Sequence, residues 1–320
     1  MAGPGQRLPS GSDGGAGQGS GRSGEGRPMR SVAVTNAKGG VGKSTTAINL
    51  ASCLADLGRR VLLIDADPSG NAALGLFPSG LPSEGLADLL LEERELPEVI
   101  RPSAVEGLDV IPPGDRLGSC SDQMGGSQGL GQGREFRIRR ILRRVTDHDV
   151  VIVDTSPVQT PLNVAILYAV GEVVIPIDPC VAALAGVKAL EDLIREVGAL
   201  RQEFTDAGPL VLTGVLITRV DRTLVARQIE AEVRAYFGPL AFERSVPTSV
   251  RFREAYARGV PLVRYDPYGA GARAYQEAAE AFLARGGHPV GPGRSRSGDR
   301  APIEDDATIE EEGGAPGAAA

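Results

Sequence analysis

A doubly wound α/β domain, with a mostly parallel sheet and helices on both faces, is the fold this 320-residue sequence predicts. Three observations carry the prediction. Short runs rich in Val, Ile and Leu are apolar at consecutive positions, as strands buried on both faces must be. Helix-length amphipathic segments lie between them. The first run leads into a glycine-rich loop that ends in Lys43-Ser44-Thr45 and opens a helix, the arrangement that turns backbone amides toward phosphate.

The elements follow in order. Residues 31–35 (SVAVT) predict the first strand, and 43–57 the first helix, entered through Asn36-Ala37-Lys38-Gly39-Gly40-Val41-Gly42. Residues 60–65 (RVLLID) and 108–111 (LDVI) predict the second and third strands. A glycine-rich stretch at 125–133 (GGSQGLGQG) reads as a flexible loop before a helix over 135–145. Residues 149–154 (DVVIVD), 172–177 (EVVIPI) and 209–218 (PLVLTGVLIT) predict three further strands, with helices over 182–204, 224–237 and 269–285. The folded domain is therefore placed at 30–285.

Both ends read as disordered tails. Residues 1–29 hold ten of the 43 glycines, and residues 286–320 hold seven acidic and three basic residues among Gly, Pro, Ser and Ala. Such segments cannot bury enough apolar surface to offset the entropy of ordering. The net charge of −7 excludes a globally basic nucleic-acid binder but not a local basic patch. Cys53, Cys120 and Cys180 are far apart, without metal-ligand spacing, which favours a cytoplasmic location. No apolar run is long enough to span a bilayer. His148 and His288 are isolated and read as surface residues without a metal role.

The loop carries the chemistry. Its glycines let amides converge on phosphate oxygens, and the helix N-terminus adds partial positive charge. Gly39, Gly40, Val41, Gly42, Lys43, Ser44 and Thr45 form the expected nucleotide cradle, with Lys43 reaching the β and γ phosphates and Ser44 placed to ligate Mg²⁺. The strict phosphate-loop pattern needs glycine at 37; this chain has alanine there and a lysine, Lys38, just inside the loop.

KGGVGKST with Lys38 resembles the deviant Walker A box of the ParA/MinD family of P-loop ATPases. The resemblance continues through RVLLIDADPSGNA at 60–72, VIVDTSP at 151–157 and VPTSVRFREAYARGVPLVRYDP at 246–267, and is nearest to the ParA/Soj partition ATPases. It implies ATP and Mg²⁺ as ligands. It also implies that Lys38 crosses an ATP-bound homodimer to the partner's nucleotide, that Asp67 orients the attacking water, and that Asp154, with Asp65 in the outer shell, holds Mg²⁺. Thr218, Arg219 and Pro247 fall near the family's adenine pocket. Arg222 and Arg251 match arginines that bind DNA non-specifically, and Arg253 lies beside the second. Three positions depart from the family pattern: Ser69 replaces a glutamine of switch I, Ser156 stands in switch II (Asp154-Thr155-Ser156-Pro157) where the common DxPP has a proline, and Thr248 replaces an arginine.

The resemblance implies a cytoplasmic, nucleoid-associated switch that partitions DNA, released from it when a ParB-like partner stimulates hydrolysis. Two alternatives remain at this stage: a positioning ATPase of the MinD kind, which the acidic tail disfavours because anionic lipid would repel it, and a slow, nucleotide-gated regulatory protein, kept open by the altered switch I.

Overall fold

The computed structural model describes residues 29–125, 133, 136–157, 160–180, 183–204 and 208–285, together with Met1. The expectations for residues 1–28, for most of the 125–133 loop and for 286–320 lie outside the described residues.

In chain order the elements are β1 (Arg30–Val34), α1 (Lys43–Asp56), β2 (Val61–Ala66), α2 (Asn71–Leu74), α3 (Leu86–Leu91), α4 (Leu96–Val99), β3 (Arg101–Pro102), β4 (Leu108–Ile111), α5 (Leu117–Gly125) and α6 (Arg137–Arg144). They continue with β5 (Val150–Thr155), α7 (Pro161–Ala169), β6 (Glu172–Ile177), α8 (Ala183–Phe204), β7 (Val211–Ile217), α9 (Leu224–Phe237), α10 (Arg251–Ala257), α11 (Leu262–Tyr265) and α12 (Ala270–Ala284). The sheet runs β3-β4-β2-β5-β1-β6-β7 and is parallel throughout except for the short edge strand β3.

The apolar strands are buried on both faces, as their composition requires. Val32 and Val34 of β1 join a core with Leu50 and Leu54 of α1 and Tyr275 and Phe282 of α12. Ala33, between them, joins the opposite core with Ile64, Val153, Ile166 of α7 and Ile194 of α8. Alternate residues of one strand thus feed two separate cores, which fixes the register of every strand against slippage. Strand β1 lies between β5 and β6, so the chain leaves it in one direction to reach β2 and returns on the other side for β6. Ligands bind at the carboxyl ends of strands where such a sheet reverses order.

All six predicted strands and five predicted helices are present, with ends shifted by at most two residues. The edge strand β3 and the helices α2, α3, α4, α5, α7, α10 and α11 were not anticipated. Most are too short to show a period. The sequence of α7 (PLNVAILYA) is apolar nearly all round and so has no polar stripe to mark it as helical; its start is fixed by Thr160, whose side chain accepts from the Asn163 amide at 3.2 Å, and by Pro161 in the first turn. His148 is not a surface residue: it is buried, with Nε2 2.9 Å from Asp109 Oδ2 on β4. Among the described residues no helix is long and apolar enough to cross a membrane, and no cluster of His, Cys, Asp and Glu is grouped to hold a metal by itself.

Candidate active site

The loop between β1 and α1 is held open from several sides. Asn36 anchors its start, donating Nδ2 to Pro176 O at 2.8 Å and accepting the Lys38 amide at 3.0 Å. Gly40 and Gly42 have φ of 74° and 87°, where a side chain is strained, so the glycines are a backbone requirement. Val41, between them, is buried, and its carbonyl accepts Thr218 Oγ1 at 2.7 Å. Arg219 donates to the Gly40 carbonyl and itself adopts a left-handed φ of 56°. No side chain caps the first turn of α1, which leaves its amide groups to an incoming anion.

The two lysines have different surroundings. Lys43 is buried; its Nζ donates to Lys38 O at 3.0 Å, and burial pulls its pKa down against the opposing charges of Asp154 and Asp67. A desolvated ammonium with one backbone partner is placed to gain from a phosphate. Lys38 is half-exposed. Its Nζ lies 3.1 Å from Cys180 Sγ and 3.1 Å from Asp178 Oδ2, just beyond β6. The Cys180 contact, and then Asp178, hold its pKa above the ordinary value despite some burial.

Three aspartates face these lysines. Asp65 of β2 and Asp154 of β5 are paired in register and fully buried. Asp65 is already engaged, accepting the amides of Asp67 at 3.1 Å and Ala73 at 2.8 Å, so it ties the segment after β2 to the strand end. Burial pushes its pKa up to about 7. Asp67 is half-buried and accepts the Ser69 amide at 2.9 Å.

Among the described residues no hydrogen bond within 3.5 Å reaches either carboxylate oxygen of Asp154, with the Ser44 hydroxyl the nearby donor, and burial followed by the charge of Asp65 raises its pKa well above the usual range. Ser44 and Lys43 act in the opposite direction. A buried, unpartnered carboxylate beside a second one is costly unless a cation is present. The oxygen donor set of Ser44 and Asp154 fits Mg²⁺, a hard cation that takes one or two carboxylates together with phosphate oxygens. When bound, Mg²⁺ neutralises charge on the β and γ phosphates.

Two cavities lie on either side of the segment 247–249, one of them beside the loop. One, of about 450 Å³, is lined by Gly40, Thr45, Thr218, Arg219, Pro247 and Arg253, and so brings the three expected adenine-side residues onto one wall with the phosphate loop. The other, of about 400 Å³, is lined by Arg222 and Arg251 together with Asp221 and Asp266. Arg251 is also paired with Glu254 at 2.9 Å. Arg253, grouped with Arg222 and Arg251 in the sequence, instead faces the first cavity and is absent from the lining of the second. On a helix, residues two apart point to different sides.

Asp178 and Cys180 were missed by the sequence reading. Asp178 stands just past the carboxyl end of β6, where the switch-point rule looks for ligands, and that position was the available signal. Cys180, a lone thiol, offered none.

The chain is similar to known proteins over most of its length. A family model described as an AAA domain matches residues 29–205. The chain is 36% identical over 258 residues to the sporulation initiation inhibitor protein Soj of Bacillus subtilis, covering 80% of this chain and 98% of that protein. It is 39% identical over 259 residues to the chromosome-partitioning ATPase Soj of Thermus thermophilus, covering 80% of this chain and 96% of that one. Among solved structures, cobyrinic acid a,c-diamide synthase of Mycobacterium smegmatis with bound ADP and magnesium superposes with a TM-score of 0.66 at 28% identity, over 82% of this chain and 97% of that one. On the family model and on 36–39% identity across nearly the whole length of these relatives, the chain belongs to the ParA/Soj family of partition ATPases.

Proposed function

We propose that this ATPase is a DNA-partition switch. ATP is its substrate and Mg²⁺ its cofactor; ATP closes a homodimer, the dimer binds DNA without reading sequence, and a ParB-like partner stimulates hydrolysis and so releases it. The observation that carries the proposal is that the nucleotide cavity and the Arg222/Arg251 cleft share a wall. Pro247, Thr248 and Ser249 line both. The same segment is pinned to the strand end after β7, where Val220 donates to Val246 O at 3.1 Å and Thr248 to Val220 O at 2.9 Å. A nucleotide that presses on this segment from one side changes the arginine cleft on the other.

In this reading Lys43, Ser44, Asp154 and the loop amides bind the Mg²⁺–triphosphate, Asp67 orients the attacking water, and Asp65 fixes the segment that carries Asp67. Thr218, Arg219 and Pro247, with Arg253 added from the cavity lining, serve the base side. Lys38 supplies charge to the partner's γ phosphate, as an arginine finger does. On its own subunit Lys38 is paired to Asp178 and Cys180, so dimer closure exchanges those contacts for phosphate.

Arginine forks bind phosphate without base readout, which suits a non-specific DNA contact. The acidic neighbours Asp221, Glu254 and Asp266 weaken a single protomer's attraction, so the reading needs two protomers and therefore ATP. Fluorescence anisotropy with duplex DNA across a salt series tests it: binding is expected with ATP and not with ADP, and Arg251→Glu should flatten the log–log salt slope by about one per lost phosphate contact. Equal binding in both nucleotide states would refute it.

A further inference from the structure

Tyr256 has no role in the site described above, yet it reaches that site. It sits on α10, the helix that also carries Arg251 and Arg253, and its phenol donates to Asn71 Oδ1 at 3.3 Å across 185 residues of sequence. Asn71 Nδ2 in turn donates to Ser69 Oγ at 2.8 Å, and the Ser69 amide donates to Asp67 Oδ1 at 2.9 Å. Three hydrogen bonds, joined through the side chain of Asn71 and the covalent frame of Ser69, therefore connect α10 to the Asp67 carboxylate.

The ring, partly exposed, packs at the other end of α2. Gly75 caps the carboxyl end of α2, and a Cβ added there would stand 3.2 Å from the Tyr256 ring and 2.6 Å from Ile48 Cδ1. A side chain at Gly75 would meet Ile48 and crowd the Tyr256 ring. Tyr256 thus touches α2 at both ends, its hydroxyl on Asn71 and its ring at Gly75. From the sheet side Asp65 holds the same segment through the Asp67 and Ala73 amides. Burial and the charge of Asp65 also raise the phenol's pKa, which keeps it a donor throughout the neutral range.

We infer that Tyr256 is a positioning residue for hydrolysis: through Asn71 and Ser69 it fixes the orientation of Asp67, and with it the attacking water. The inference rests on the reading of Asp67 given above. Tyr256 holds Asn71 by Oδ1 while Asn71 Nδ2 holds the Ser69 hydroxyl, so the phenol orients the amide that meets Ser69. The relay acts on the chemical step and not on nucleotide binding, because none of its members touches the phosphate-loop amides, Lys43 or Ser44.

The test uses the full chain with Mg²⁺ and ATP, with turnover and ATP affinity measured separately for Tyr256→Phe, Ser69→Ala, the double variant and Asp67→Ala. Loss of one steering hydrogen bond should lower kcat about fivefold in Tyr256→Phe, with ATP affinity unchanged. The double variant should lose no more than the larger single one, since both break the same chain. A merely structural tyrosine would alter thermal stability or ATP affinity and leave kcat alone. Full turnover in Tyr256→Phe beside a dead Asp67→Ala overturns the relay, as do additive losses in the double variant. Full turnover in Asp67→Ala overturns the reading of Asp67 itself, and the relay with it.

Discussion

Neutralising Asp154 should make the nucleotide-free protein more stable while removing its use for Mg²⁺. Asp154 and Asp65 are partners in register on adjacent strands, and both point to the α1 face, as Ile152 and Leu63 do. Paired positions on neighbouring strands have their backbones about 5 Å apart, which sets the scale of the spacing between the two carboxylates. At an effective dielectric of about 20, two charges at that spacing repel by about 3 kcal/mol once both groups are ionised. Asp154→Asn removes that repulsion and a buried charge without changing shape. For a domain of this size about 3 kcal/mol corresponds to a Tm rise of roughly 6–12 °C.

The gain depends on pH, with a definite sign. Asp65 has an ordinary value of 3.8 and is pushed up to about 7, and Asp154 shifts in the same direction, so the folded state binds protons that the unfolded state releases. The contribution of Asp65 is fully present below 3.8 and is lost as pH rises through about 7, and that of Asp154 is lost in the same direction, with rising pH. The unmodified protein should therefore lose stability between pH 5 and pH 8 without Mg²⁺, and Asp154→Asn should show a flatter profile and its largest advantage at pH 8. Scanning calorimetry over that range, free of nucleotide and metal, checks this, and nucleotide titration with and without Mg²⁺ checks the functional loss. A variant no more stable than the parent at pH 8 would refute the reasoning.

Two further predictions follow from the lysines. Lys43→Ala should abolish nucleotide binding, whereas Lys38→Ala should keep it and lose ATP-dependent dimerisation; equilibrium titration beside sedimentation separates the two, and identical losses of binding would count against a lysine that acts across the dimer. Asp178→Ala should release Lys38 and tighten ATP-dependent dimerisation, by no more than about fivefold, because a half-exposed ion pair contributes at most about 1 kcal/mol. Sedimentation across a protein dilution series with ATP reads this shift, and an unchanged dimer constant would mean that the pair does not restrain Lys38.

What the sequence alone determined is local. Apolar runs at 60–65 and 149–154 marked β2 and β5 because a doubly buried strand has no polar face. The phosphate loop was legible because Gly40 and Gly42 must take left-handed backbone angles and Lys43 and Ser44 must follow at once. What the tertiary structure decided is long-range. Spacing along the chain says nothing of Asp65 meeting Asp154, of Lys38 meeting Asp178 and Cys180, or of Tyr256 meeting Asn71, since each pair is joined by strand order or helix packing and not by a repeat. The same holds for Arg251 and Arg253: two residues apart, they look like one basic patch in the sequence, but the turn of α10 sends one to the outer cleft and the other to the nucleotide cavity.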